Sequence, residues 1–231
     1  MPYFYIDSYY WILVVPAIMI ALFAQIKVQS TFKKYNQVYA VRGLTAAEAA
    51  RRILDNNGLS HIRVERVAGT LTDHFDPRNN VIRLSDAVYG SSSVGAIGVA
   101  AHEAGHAIQY DVGYFPIKIR AAMIPITNIG SSLAFPLAAF GLLFGFLWLV
   151  DFGILLFLAV VLFQLVTLPV EFNASRRALH TLEADQMLNE TEIAGARRVL
   201  SAAAMTYVAA LVTAVANLLR LIMIRNERED R

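Results

Sequence analysis

Four long apolar runs limit what this chain can fold into. Tyr9 to Ile26 holds 18 residues without a charge, and as a helix rising 1.5 Å per residue it just crosses a hydrocarbon core of about 30 Å. From Ile124 to Val150 the only residues neither apolar nor small are Thr127 and Asn128. Asp151 and Gly153 interrupt this run, which resumes from Ile154 to Val170, and Ser201 to Ile224 is the fourth. In lipid every backbone polar group must be satisfied within the segment, so such runs read as helices. A hydrophobic content of 57% and a mean hydropathy of +0.49 exceed what a soluble domain needs. The expected architecture is a mainly α polytopic membrane protein with helices over 9–26, 124–150, 152–170 and 201–224, the second and third joined by a tight turn near Asp151.

The first run reads as a retained anchor with an aromatic belt at Tyr9, Tyr10 and Trp11. A signal peptide would carry basic residues before it and a small-residue cleavage site after it, whereas Asp7 precedes and no A-x-A site follows. Basic residues near the spans cluster at Lys27, Lys33, Lys34 and Arg42, at Lys118 and Arg120, and at Arg176, Arg177, Arg197 and Arg198. By the positive-inside rule, residues 27–120 and 171–200 are expected to face the cytoplasm. Arg225, Arg228 and Arg231 run mildly against this orientation and read as a solvated tail. Because the basic residues flank apolar runs instead of forming one patch, no nucleic-acid partner is expected. The chain has no cysteine, so disulfides, thiolate ligands and cysteine nucleophiles are excluded.

The two polar stretches carry the chemistry. Thr45 with Glu48 three residues on forms a capping box that opens an amphipathic helix ended by Asn56-Asn57-Gly58. Residues Ile62 to Val67 and Val81 to Leu84 alternate as strands do, and a short antiparallel sheet is expected. Between them, Asp73-His74-Phe75-Asp76 adjoins Pro77 and reads as a turn with capping carboxylates and a surface histidine. His61 reads as a solvated residue. Two strands need a helix to pack on, and an edge strand beside that helix offers an extended peptide a pairing surface.

The helix in question runs from about Ser93 to Tyr110, with Ser91, Ser92 and Ser93 as candidate N-caps and Asp111-Val112-Gly113 as its stop. It contains His102-Glu103-Ala104-Gly105-His106. Residues four apart share a helix face, so His102 and His106 can aim both imidazoles at one tetrahedral Zn²⁺, with Glu103 beside the water it holds. A catalytic zinc takes three protein ligands and keeps one position open. Two spans separate the polar stretches, which brings both to one side of the membrane. The third ligand is therefore expected from the second stretch, with Glu171 and Glu183 as candidates.

The motif, followed at this distance by Glu171-Phe172-Asn173-Ala174, resembles the membrane gluzincins of the HtpX and prenyl-protein protease type. Four segments, Gly43 to Glu48, Leu71 to Arg78, and the stretches around the two motifs, Ala100 to Gln109 and Leu168 to Ala178, make nearly the whole chain similar to the YugP-like neutral zinc metallopeptidases of bacterial membranes. The resemblance implies a small α+β region with its sheet packed on the H-E-x-x-H helix. It also implies His102, His106 and Glu171 as zinc ligands and Glu103 as general base. Ser175 stands where the broader gluzincin pattern has an aspartate that orients a zinc histidine, so Asp111 or Asp185 is a candidate replacement. Arg176, His180 and Asn173 are candidates for stabilising the developing oxyanion.

The function expected is zinc-dependent hydrolysis of peptides or membrane proteins in quality control, with the bilayer as the other partner and any complex partner open. The alternative is a non-proteolytic membrane scaffold or regulatory partner that retains zinc. A fourth protein ligand such as His74 or His180 would mark that closed, structural kind of site.

Overall fold

The computed structural model describes residues 7–229; Arg231 of the expected tail lies outside them. The elements run α1 (Tyr10–Tyr35), α2 (Ala46–Asn56), β1 (Arg63–Val67), β2 (His74–Asp76), β3 (Val81–Ser85), α3 (Val94–Asp111), α4 (Phe115–Phe144), α5 (Leu147–Ala184) and α6 (Glu190–Glu229). They sort into two compact units interleaved along the chain. One comprises residues up to 25 with 118–168 and 205 onward, the other residues 26–117 with 169–204.

The first unit holds the apolar parts of α1, α4, α5 and α6, which are the candidate membrane spans, each long and apolar enough to cross a bilayer. Their most apolar windows are only 17–33% buried, leaving side chains such as Ile12, Leu22, Leu143, Trp148 and Leu155 exposed. Water would penalise so much apolar surface, whereas lipid accommodates it. The helices approach closely at small residues. A Cβ on Gly130 would lie 2.6 Å from the Leu156 carbonyl oxygen, and one on Gly153 would lie 2.7 Å from that of Ala134, as expected where van der Waals packing drives helix association in lipid.

The turn between the second and third spans is not at Asp151. Helix α4 ends at Phe144, Gly145 takes φ +78°, and Phe146 N–H donates to the Gly141 carbonyl at 2.8 Å. This is a Schellman stop, for which glycine pays no Cβ penalty. The glycine lies inside an unbroken apolar run and so leaves no mark in hydropathy. Asp151 is instead within α5 and pairs with Arg225 Nε at 2.8 Å, which removes Arg225 from the solvated tail. A second pair, Arg220 Nη2 to Asp7 Oδ2 at 2.7 Å, lies against the Tyr10 ring, with Arg220 6% exposed. An intramembrane guanidinium persists only when it is paired in this way.

In the second unit, the end of α1 is followed by the expected helix α2. Thr45 accepts from Glu48 N–H while Glu48 reaches back to Thr45 N–H at 2.9 Å. Helix α2 buries Ala46, Ala49, Ala50, Ile53 and Leu54 against α3. The sheet order is β1-β3-β2, and it is mixed. The antiparallel pairing expected between residues 62–67 and 81–84 is corrected: the antiparallel partner of β3 is β2, formed by residues read as a turn and joined to β3 by the Pro77 to Asn80 turn. Strands β1 and β3 run parallel, because the long connection between them contains a third strand. Asp76 does cap the turn, accepting from Arg78 N–H at 3.0 Å and Asn79 N–H at 3.3 Å. Its neighbour Asp73 accepts from Ser85 N–H at 2.7 Å, and these anchors hold His74 to Asp76 extended at the sheet edge. Both His61 and His74 are exposed.

Helix α3 has Ser93 as its N-cap. It is buried on nearly every side and is built from small residues, as a helix enclosed all round must be.

Candidate metal centre

Two elements carry the site. Helix α3 presents His102, Glu103 and His106, and α5 presents Glu171 and Ser175, both from the second unit. What lets the helices approach is Gly105, inside the motif, where a Cβ would stand 2.6 Å from the Ala174 carbonyl oxygen. Any larger residue there would push the α5 backbone, and Glu171 with it, away from the histidines.

Ligand atoms of His102, His106 and Glu171 all lie within 4.8 Å of one another. Glu171 Oε2 is 3.2 Å from His102 Nε2 and 3.5 Å from His106 Nε2. Donors held 2.0–2.1 Å from a tetrahedral zinc lie about 3.3 Å apart, which matches both carboxylate–imidazole separations. The donor chemistry fits as well, with two imidazoles and one carboxylate in a chain without cysteine. Glu171 is 2% exposed. Burial raises its carboxyl, but hydrogen bonds and charge from the two histidines outweigh that and hold it well below the usual carboxylate range. Burial pushes the His106 imidazole down, yet Glu171 and Glu103 outweigh it and leave it above its ordinary value. The pocket is thus a focus of negative potential with two nitrogens aimed into it, which is what a divalent cation needs.

Glu103 is 8% exposed and accepts from Phe75 N–H of β2 through Oε2 at 2.9 Å. The Phe75 ring packs edge-on against Tyr110, with centroids 5.6 Å apart. This ties the edge strand to the helix. Behind the ligands, Ser175 Oγ lies 3.1 Å from His102 Nδ1, and Gln109 Oε1 lies 2.9 Å from His106 Nδ1. The expectation that Asp111 or Asp185 replaces the missing aspartate is corrected. Asp111 is exposed at the end of α3, and Asp185 accepts from Asn56 Nδ2 at 2.7 Å. A hydroxyl in the aspartate's own position meets one histidine, and a neutral amide meets the other.

Of the remaining candidates, Glu183, Arg176 and His180 are exposed, and among the described residues none of them joins the cluster. Asn173 is occupied by Gln109 Nε2 at 3.0 Å and Arg177 Nε at 2.8 Å. Sequence reading missed Gln109 and the Phe75 amide as parts of the site. Gln109 could have been found from spacing, since it lies three residues after His106 on the same helical face. The Phe75 contact is made by backbone, which carries no side-chain signature.

This donor set, beside a buried glutamate and in a chain with four candidate membrane spans, could hold a metal ion. The chain belongs to the family described as "Putative neutral zinc metallopeptidase", whose model matches residues 10–226. It is 49% identical over 212 residues to "Putative membrane protease YugP" of Bacillus subtilis (strain 168), covering 92% of this chain and 94% of that protein. No solved structure matches. Family and relative together support a protease in a membrane, with zinc as its metal.

Proposed function

We propose that the protein is a zinc-dependent membrane endopeptidase in which His102, His106 and Glu171 hold the metal and Glu103 is the general base. The observation that carries this reading is the convergence of the three donor atoms within 4.8 Å, with Glu103 on the adjacent helical position. Zinc, when bound in such a site, supplies Lewis acidity toward water and toward a peptide carbonyl. The rest falls to the chain. Glu103, steadied through one oxygen by the Phe75 amide, takes the proton of the attacking water on its other oxygen and returns it to the departing amine. Strand β2 is the sheet edge nearest this base, and a peptide laid along it by strand addition would present its backbone beside Glu103.

Tethering by several spans restricts the substrates to proteins in or near the same membrane, and turnover of damaged membrane proteins fits that restriction. The distribution of basic residues in the sequence supports a cytoplasmic active unit.

The test uses the purified full-length protein in detergent with casein or an unfolded membrane protein as substrate. Cleavage is expected, removal of metal by a chelator should abolish it, and one equivalent of zinc should restore it. A zinc-loaded protein inert toward many substrates would instead support the scaffold reading.

A further inference from the structure

We infer that Gln109, Asn173 and Arg177 form a hydrogen-bonded relay of fixed polarity that positions His106 with its proton on Nδ1, leaving the Nε2 lone pair for a metal. The inference rests on the assignment of His106 as a ligand made above. It extends that assignment to three residues outside the ligand set.

The direction of the relay follows from groups that have no choice. Arg177 Nε can only donate, so the Asn173 atom 2.8 Å from it is the amide oxygen. That same oxygen lies 3.0 Å from the Gln109 side chain, which must therefore present its NH₂ there. A second anchor gives the same answer, because the Gln109 NH₂ also lies 2.8 Å from the Val170 carbonyl, an obligate acceptor. With both amide hydrogens committed, Gln109 has only its oxygen left for His106 Nδ1, 2.9 Å away. An oxygen in that place requires a proton on Nδ1. With its proton held on Nδ1, the ring turns its other nitrogen, the one 3.5 Å from Glu171 Oε2, toward the place a cation would take.

Burial makes this arrangement stringent. Gln109 is 0% exposed, so no water is at hand to compensate for a reversed amide, and reversal would set oxygen against oxygen at Val170 and at Asn173. His102 is held differently. Its Nδ1 meets the Ser175 hydroxyl, which can donate or accept, so that contact orients the ring without choosing its tautomer. The relay thus fixes the His106 proton as a carboxylate does in many zinc sites, but with a neutral amide at the ring and the cationic Arg177 two residues beyond that amide.

Two near-isosteric changes at one position separate polarity from packing. Asn173→Asp keeps an acceptor oxygen for both Gln109 and Arg177, whereas Asn173→Leu keeps the shape and removes it. Zinc affinity would be measured by competition with a chromophoric chelator on wild type, both variants, Gln109→Leu and His106→Ala. Asn173→Asp is expected to bind as wild type does, while Gln109→Leu and Asn173→Leu fall by about 10–100-fold, the usual loss when an outer partner of a ligand is removed. Nitrogen NMR of labelled, zinc-loaded wild type should show the His106 proton on Nδ1. Equal affinities for Asn173→Asp and Asn173→Leu, or a proton found on Nε2, would overturn the relay. Should Asn173→Leu not fold, Arg177→Met removes the obligate donor at the outer end of the relay, and wild-type affinity there would be equally contrary. Zinc binding undiminished in His106→Ala would instead refute the ligand assignment itself, so the two failures are distinguishable.

Discussion

Replacing Glu103 by glutamine is expected to leave the protein folded and zinc-loaded while lowering peptide hydrolysis by about 10²–10⁴-fold, the range supplied by a positioned general acid–base. The substitution is nearly isosteric, and its amide oxygen can still accept from Phe75 N–H, the contact that joins α3 to the edge strand. What it removes is the basicity. Metal content by elemental analysis and initial rates on one unfolded substrate, measured on the same preparation, check both halves of the expectation. Rates unchanged from wild type would show that the base is another group, and loss of zinc would show that Glu103 takes part in holding the metal.

The second large effect is expected at Glu171. Its carboxylate is 2% exposed and faces both histidine Nε2 atoms within 3.5 Å. Glu171→Gln keeps the volume but removes the charge that balances a divalent ion and turns an amide NH₂ toward the imidazoles. Removing an outer partner already costs about 10–100-fold in metal affinity, so loss of this inner donor should exceed the upper end of that range and leave the protein metal-free after dialysis. Glu183→Gln is the matched control, since Glu183 is exposed on the same helix, and it should keep its zinc. The reverse pattern would transfer the ligand to Glu183.

Periodicity and spacing revealed much of this molecule, because the signals that matter are strong ones. The apolar runs are long enough that only spanning helices satisfy their backbones. The capping box at Thr45 and Glu48 and the N-cap at Ser93 are local motifs whose partners lie three residues away, so the chain announces them unaided. His102 and His106 meet for the same reason, by helical repeat. Glu171, 65 residues further on, required an argument about which polar stretches share a side of the membrane.

What stayed hidden is non-local or backbone in origin. The stop at Gly145 is invisible to hydropathy because the residues around it are as apolar as a helix interior. Strand β2, three residues long, was hidden by its flanking turn chemistry, and its presence is what makes β1 and β3 parallel instead of antiparallel. Gly105 reads as a filler between Ala104 and His106 until the Ala174 carbonyl is placed against it. Ser175 is a clear departure from the gluzincin pattern in sequence, but only the fold shows that the hydroxyl itself meets His102 and that, among the described residues, neither Asp111 nor Asp185 replaces the aspartate. Asp7 and Arg220, 213 positions apart in sequence, pair through tertiary packing alone.

In the proposed site two imidazoles and one carboxylate hold a zinc that keeps a position open. Zinc K-edge X-ray absorption on the zinc-loaded full-length protein tests it directly. The expected spectrum has scattering from two imidazoles, with first-shell distances of about 2.0–2.2 Å to nitrogen and oxygen and a solvent oxygen completing the set. Scattering from three or four imidazoles, as when His74 or His180 closes the coordination shell, would contradict this arrangement and mark the zinc as structural.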